Sequence, residues 1–119
     1  MKTYSGRRQG EGGGQAIIVT TTRGRSKDLR ELDKAASLAV VNHSPDGFNW
    51  GYSGSGAAQT ALAILLDALS PLWTPLAVRL HQPFKFEFVS GWGDCWEISG
   101  DEVLGWVRKQ VDRGVAEIS

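Results

Sequence analysis

The most strongly apolar stretch of the chain runs from Ala57 to Leu69 and contains only three polar residues. Its leucines and alanines recur at intervals of three and four, which is the spacing of one face of an α-helix. Further apolar residues widen that face until little polar surface remains, and such a helix is normally buried. The pattern therefore predicts a buried central helix at about 56–69, with Ser55 as its N-cap and Pro71 beyond its end. A bilayer span needs about 20 apolar residues, so this helix is too short to cross a membrane.

Two extended segments precede this helix. Lys2–Arg8 is predicted to form a first strand, and the glycine-rich Gln9–Gly14 is predicted to form a turn. Gln15–Thr22 is rich in β-branched residues, which favour strands. Two strands joined by a short turn predict a hairpin.

The segment between this hairpin and the central helix mixes several signals. Residues 26–35 fit a short helix capped by its first residue, and residues 37–42 fit a buried third strand. His43–Gly47 has the composition of a turn. Phe48 and Trp50 alternate with a polar residue, as in a short strand leading into a glycine-rich loop.

The segment after the central helix has two interpretations. Residues 73–81 are predicted to form a second helix with a proline in its first turn. Phe84–Val89 alternates between apolar and polar residues and predicts a strand. The second interpretation is a helix that continues through this segment, broken only at Pro83. Cys95–Ile98 is too short to assign.

The last helix has a clear start signal, because Ser99-Gly-Asp-Glu102 is a capping box. It predicts a helix at about 100–113, ended by Gly114. Strands early in the chain followed by helices indicate an α+β fold. We expect one globular domain of residues 1–119. In it, a small antiparallel sheet is packed on one face by the buried central helix (about 56–69) and the C-terminal helix (about 100–113).

Composition and charge narrow the possible functions. The chain has 119 residues and a formal net charge of zero, which argues against a dedicated nonspecific nucleic-acid binder. Its single cysteine, Cys95, and the lack of an apolar leader predict a cytoplasmic protein. Seven basic and two acidic residues fall in residues 1–30, and six basic and eleven acidic residues follow. We expect no cofactor and no metal site, because no histidine or cysteine lies at ligand spacing beside His43.

The loop before the central helix, Gly51-Tyr-Ser-Gly-Ser-Gly56, is a candidate anion site. A glycine-rich loop that opens a helix presents free N–H groups at the positive end of the helix dipole. The residues in question are Ser53, Gly54, Ser55 and Gly56, with charge supplied by Arg7, Arg8 or Arg23. Neither the phosphate-loop pattern nor the dinucleotide-binding pattern is present. The favoured interpretation is that the glycines allow a tight turn and close packing.

The same loop raises a hydrolase hypothesis. Ser53 or Ser55 with His43 and Asp46 would supply a nucleophile, a base and an orienting carboxylate. A Gly-x-Ser-x-Gly elbow is needed to expose the serine between strand and helix. Neither serine has glycines at both required places, so no catalytic residue is assigned.

The five tryptophans and the uneven charge favour a non-enzymatic interaction protein, because tryptophan and arginine are common at interface hot spots. The candidate partner-binding residues are Arg23, Arg25, Lys27, Trp73 and Trp92. They indicate a protein partner. A nucleic-acid contact is possible through the basic loop but is not favoured, because no aromatic residues are interleaved with the basic ones.

Residues 42–65, which contain Gly47-Phe-Asn-Trp-Gly-Tyr-Ser-Gly-Ser-Gly56, resemble the signature of a family of small proteins of unknown function from bacteria, archaea, phages and mobile elements. Tyr4-Ser-Gly-Arg7 and Phe84–Val89 also fit that family. Ser53 stands where the family usually has glycine, and Ala57 where it usually has proline. The resemblance implies no established activity. Its phage and mobile-element setting implies a contest with host defences, such as inhibition of a CRISPR complex or sequestration of a nucleotide signal.

Overall fold

The computed structural model of the protein describes residues 1–11 and 14–114. Within those two ranges the chain forms four β-strands and four α-helices. The strands are β1 (Lys2–Arg7), β2 (Ile17–Arg23), β3 (Ser26–Glu31) and β4 (Cys95–Ser99). The helices are α1 (Lys34–Val40), α2 (Ser55–Ala68), α3 (Thr74–Glu87) and α4 (Gly100–Asp112), with 3₁₀ turns at Pro71–Trp73 and Val89–Gly91.

The strands form one antiparallel sheet in the order β3-β2-β1-β4. The α+β fold predicted from the sequence is confirmed, and so is the hairpin of the first two strands. Residues 12 and 13 of the predicted glycine turn lie outside the described residues. Alternate residues of β1 and β2 are buried, among them Tyr4, Ile17 and Val19, so one face of the sheet packs against the core.

Helix α2 occupies the centre of the core, as the sequence predicts. Every residue from Gly56 to Leu65 is buried. The predicted cap is wrong, because the N-cap is Gly54 and Ser55 is already the first helical residue. The helix ends at Ala68, one residue before the predicted end, and a 3₁₀ turn starts at Pro71.

Asp67, in the last turn of α2, connects this helix to the sheet. Its carboxylate accepts hydrogen bonds from Lys2 Nζ (3.1 Å), the Tyr4 hydroxyl (2.7 Å) and Arg30 Nη2 (2.6 Å). Burial alone would raise the pKa of Asp67, but the hydrogen bonds from Arg30, Tyr4 and Lys2 outweigh it and hold the pKa below 3.8. The buried hydroxyl of Tyr4 has a raised pKa because of its burial and of this carboxylate. Two strands and the central helix are therefore joined at one charged group.

The predictions for residues 26–42 are wrong in both parts. Residues 26–31 form strand β3, because Gly24 adopts a positive φ of 58° and turns the chain back along β2. Residues 34–40 form helix α1, where the sequence predicted a strand. The Asp33 carboxylate accepts a hydrogen bond from Ala35 N (2.9 Å) and caps this helix.

The strand predicted around Phe48 and Trp50 is also not formed, although both aromatic side chains are buried as expected. A single bridge between Gln15 and Phe48 is the extent of pairing in this segment of the described chain. The segment is instead held by Asn49, whose carbonyl accepts from Thr60 Oγ1 of α2 (2.7 Å).

Helix α3 runs through Pro83 to Glu87, so the strand predicted at 84–89 is wrong. The second interpretation, a helix continuing through this segment, is confirmed, but the break expected at Pro83 is absent. The buried residues of α3 recur with helical spacing: Leu76, Ala77, Leu80, His81, Phe84 and Lys85. Phe86, one of the three alternating phenylalanines, is left exposed.

The last two elements, β4 and α4, follow each other directly in the chain. Cys95–Ser99 forms β4 and pairs with β1, so the expectation that all strands come early is wrong. The predicted capping box is confirmed: Ser99 Oγ accepts from Glu102 N (3.0 Å), and Ser99 N donates to Glu102 Oε1 (3.3 Å). Gly114 follows α4 with a φ of 72°. Among the described residues, no helix is long and apolar enough to cross a membrane.

Candidate functional site

The space beside the glycines of the loop before α2 is occupied by other side chains of the protein. The Tyr52 ring lies against Gly54, where a Cβ atom would overlap it. A Cβ atom on Gly56 would lie 2.7 Å from Asn49 Cβ and 2.8 Å from the Tyr52 hydroxyl. Buried Lys85 reaches the loop from α3 and donates to the Ser53 carbonyl (3.1 Å). The small residues therefore allow close packing of Tyr52, as the favoured interpretation of the sequence expects.

The residues of the hydrolase hypothesis are not assembled into a triad. His43 Nε2 lies 2.8 Å from His81 Nε2 and not beside a serine. In the described part of the chain, neither the Ser53 nor the Ser55 hydroxyl hydrogen-bonds to His43. No group of three histidine, cysteine or acidic side chains suited to a metal ion is present among the residues that the structure describes.

Buried His81 and half-buried His43 form a pair, and their hydrogen-bond contacts indicate the tautomer of each ring. His81 Nδ1 lies 2.5 Å from the Val78 carbonyl, which can only accept, so Nδ1 carries a hydrogen. In the neutral ring, Nε2 of His81 is then an acceptor, and His43 Nε2 donates to it. Burial lowers the pKa of His81 below 6.5, and His43 and Lys85 lower it further, against the opposing effect of the Val78 hydrogen bond.

This lowered pKa predicts a loss of stability in mild acid. The unfolded chain binds a proton at a histidine near pH 6.5, whereas folded His81 binds it only at lower pH, so unfolding takes up a proton in that window. The free energy of unfolding should therefore be flat above about pH 7.5 and fall as the pH drops below 6.5. Urea denaturation at a series of pH values measures this, with His81→Gln as the control that flattens the dependence. Stability that rises as the pH falls through the same window would contradict the assignment.

The tryptophans near β4 pack on one another. Trp92 stacks on Trp96 with ring centroids 3.9 Å apart, and Trp96 meets Trp50 edge-on at 5.4 Å. The Arg8 guanidinium lies over the Trp50 ring and forms a salt bridge with Asp94 (3.2 Å). It also donates hydrogen bonds to Asn49 Oδ1 (2.7 Å) and to the Trp50 carbonyl (2.8 Å). Trp92, a candidate partner-binding residue, is thus half-buried within an aromatic stack.

The basic candidates lie at the tip of the β2–β3 hairpin. Arg23 ends β2, Lys27 lies in β3, and Arg25 is in the two-residue turn between them. All three side chains are exposed. The predicted basic loop is therefore a tight strand connection rather than a loop.

Trp73 is the candidate that lies in a groove. One wall comes from Leu69, Trp73 and Leu76, at the junction of α2 and α3. The other wall is the side of α4 that carries Leu104, Val107, Arg108 and Val111 at positions i, i+3, i+4 and i+7. We call this cavity of about 260 Å³ the Trp73 groove.

The rim of the Trp73 groove is mainly apolar. Leu72 is 85% exposed beside it, and within it Leu104 is 42% and Trp73 38% exposed. Arg108 is the one charged residue of the lining. Away from the groove, near the C-terminal end of α3, Trp106 links α4 to α3, since its Nε1 donates to Glu87 (2.5 Å) and its ring packs on Phe84.

Sequence reasoning identified Trp73 but missed the α4 wall of this groove. Leu104 falls between the residues of the core face of α4, and only its helical spacing to Val107 and Val111 could have marked a second apolar ridge. A groove of this kind, apolar and lying between helices, offers a surface on which the apolar face of another helix can pack.

No curated protein and no solved structure matches the chain significantly. One family profile does, and it matches residues 4–109, which is most of the sequence. Its description is "Family of unknown function (DUF6166)". On this match, the chain belongs to the DUF6166 family.

Proposed function

We propose that the protein is a non-enzymatic interaction protein that acts in the cytoplasm and binds a protein partner through the Trp73 groove. The observation that carries this proposal is the exposure of Leu72 (85%) and Trp73 (38%) beside a groove whose lining has a single charge. Burying a leucine or tryptophan side chain contributes about 1.5–3 kcal/mol, which a partner can recover on binding. Tryptophan is also enriched among the residues that dominate binding energy.

The partner surface that fits best is an amphipathic helix. The ridge on α4 repeats at i, i+3, i+4 and i+7, and such a ridge interlocks with the apolar ridge of a second helix. Arg108 lies on that ridge, so the bound helix should carry an acidic residue opposite it. The remaining contacts would be apolar.

The wider proposal is that this partner is part of a host defence complex of the CRISPR type, and that the protein is a phage or mobile-element factor that inhibits it by binding. Its support is the signature resemblance described above, together with a groove suited to docking. Inhibition by binding in this way requires no enzymatic step.

The test is capture of a partner by the purified protein from lysates of hosts that carry defence systems. Leu72→Glu and Trp73→Ala should each weaken capture at least about tenfold, because they place a charge in the interface or remove its central ring. Phe86→Glu is the matched control, since Phe86 is 63% exposed on α3 but does not line the groove. Capture that is unchanged by both groove variants, or equally lost with Phe86→Glu, would overturn the proposal.

A second candidate is binding of a small anion or nucleotide at the Ser53–Gly56 loop. The observation that favours it is the Lys85 ammonium beside this loop, 3.1 Å from the Ser53 carbonyl. Phosphate or nucleotide at millimolar concentration should then raise the melting temperature, and Lys85→Met should abolish the increase. A melting temperature that does not change with any of these ligands rejects this candidate.

A further inference from the structure

Strand β3 forms one edge of the sheet, and all six of its residues are exposed. Within the described chain it pairs with β2 alone. An edge strand of this length presents a row of unpaired backbone groups that another strand can bind. Natural proteins usually protect such edges with charges, and β3 carries four of them: Lys27, Asp28, Arg30 and Glu31.

The register with β2 determines which backbone groups point outward. Leu32 N donates to the Ile17 carbonyl (2.8 Å), and hydrogen-bonded pairs alternate along an antiparallel ladder. Arg30 and Asp28 therefore direct their backbone groups toward β2. The N–H and C=O groups of Lys27, Leu29 and Glu31 point to the open edge.

The charges of β3 are ordered symmetrically about Leu29, with opposite signs at matching positions. We propose that β3 pairs antiparallel with β3 of a second copy of this chain, centred on Leu29. Lys27 then lies opposite Glu31 of the second copy, and Asp28 lies opposite its Arg30. The two Leu29 side chains, each 67% exposed in the single chain, meet at the centre.

Backbone geometry and charge select the same register. With Leu29 at the centre, the outward groups of Lys27, Leu29 and Glu31 face their counterparts and form roughly six interchain hydrogen bonds. Moving the centre to Asp28 or to Arg30 places two like charges directly opposite each other, which is destabilising. The result is a two-fold dimer with one continuous eight-stranded sheet, and its interface is separate from the Trp73 groove.

Sedimentation equilibrium of the full chain tests this dimer. Over about 1 µM to 1 mM, the mass should rise from that of one 12.9 kDa chain toward twice that value, and it should fall again at high salt. Leu29→Pro should keep the protein monomeric throughout, because it removes an outward N–H and leaves the bonds to β2 intact. A wild-type protein that is monomeric across the whole range overturns the proposal.

Exchanging the charges of Lys27 and Glu31 distinguishes this strand pairing from any other mode of self-association. Lys27→Glu places two acidic side chains opposite each other at both ends of the interface, so the dimer should weaken about tenfold or more. Adding Glu31→Lys to the same chain restores opposite charges and should restore the dimer. Neither residue forms a salt bridge within the described chain, so neither change should alter the fold. Dimerisation that is equal in all three proteins would contradict the pairing.

Discussion

Replacing Gln59 by leucine is expected to lower the free energy of unfolding by about 4 kcal/mol. Gln59 is fully buried in α2, and its amide satisfies four groups in the segment that leads from α1. Its oxygen accepts from the backbone N–H groups of His43 (2.8 Å) and Ser44 (3.2 Å). Its nitrogen donates to Ser37 Oγ (3.0 Å) and to the Val41 carbonyl (3.0 Å). Leucine has a similar volume but removes the partner of the His43 and Ser44 N–H groups and of the Val41 carbonyl, whereas Ser37 Oγ keeps its bond to the Lys34 carbonyl (2.9 Å). Each buried group left unsatisfied costs about 1–3 kcal/mol.

The control for this change is Gln110→Leu in α4. Gln110 is also buried, but its side chain makes no hydrogen bond in the described structure, so its replacement should change stability by less than about 1 kcal/mol. Urea denaturation of both variants measures the difference. Equal stabilities for the two variants would show that the amide of Gln59 does not hold the α1 segment.

The second large effect is expected for Gly6→Ala, at about 3 kcal/mol of destabilisation. A Cβ atom on Gly6 would lie 2.5 Å from Trp96 Nε1 and 2.8 Å from Trp50 Cη2. These rings cannot move away easily, because Trp96 is stacked on Trp92 on one side and packed against Trp50 on the other. The added methyl group must therefore displace the aromatic cluster or bend β1.

Gly105→Ala is the matched control, because no atom lies within 4 Å of the added Cβ. Gly105 is exposed in α4, where alanine favours a helix by about 1 kcal/mol over glycine. Thermal unfolding should therefore show a clear fall in melting temperature for Gly6→Ala and a small rise for Gly105→Ala. A Gly6→Ala protein as stable as the wild type would mean that the tryptophan cluster is loosely packed.

The elements predicted correctly from sequence are those with strong local signals. The apolar run of α2 and the capping box at Ser99 are read within a few neighbouring residues, and the hairpin of β1 and β2 needs only its turn. These features were sufficient to predict where the core lies and that the fold is α+β.

The wrong predictions share a dependence on distant contacts. Residues 26–31 have charged side chains and no alternation, and they become a strand because β2 supplies the ladder. Cys95–Ser99 is too short to be assigned alone and is fixed by pairing with β1, whose residues lie 88 to 96 positions earlier. In α3, the alternation of three phenylalanines imitated a strand, although packing against α2 selects the helical spacing of Leu80 and Phe84.

The candidate site was predictable only in part, for a related reason. Trp73 was identified because tryptophan beside a loop is a common contact residue. The α4 wall of its groove depends on how α3 and α4 pack, which Trp106 and Glu87 fix through a hydrogen bond nineteen residues apart in sequence. The proposed dimer contact at β3 was hidden by the helix predicted there.

The place of β4 in the sheet has a consequence for synthesis on the ribosome. β1 emerges first, yet its neighbour on one side is β4, which cannot leave the exit tunnel until about residue 99 has been added and passed through. Until then the nascent hairpin has a bare flank, and the tryptophan at position 96 is missing from the cluster beneath Gly6. The native sheet is therefore completed only after β4 has left the tunnel, and a chaperone at the tunnel mouth would meet this flank open until then.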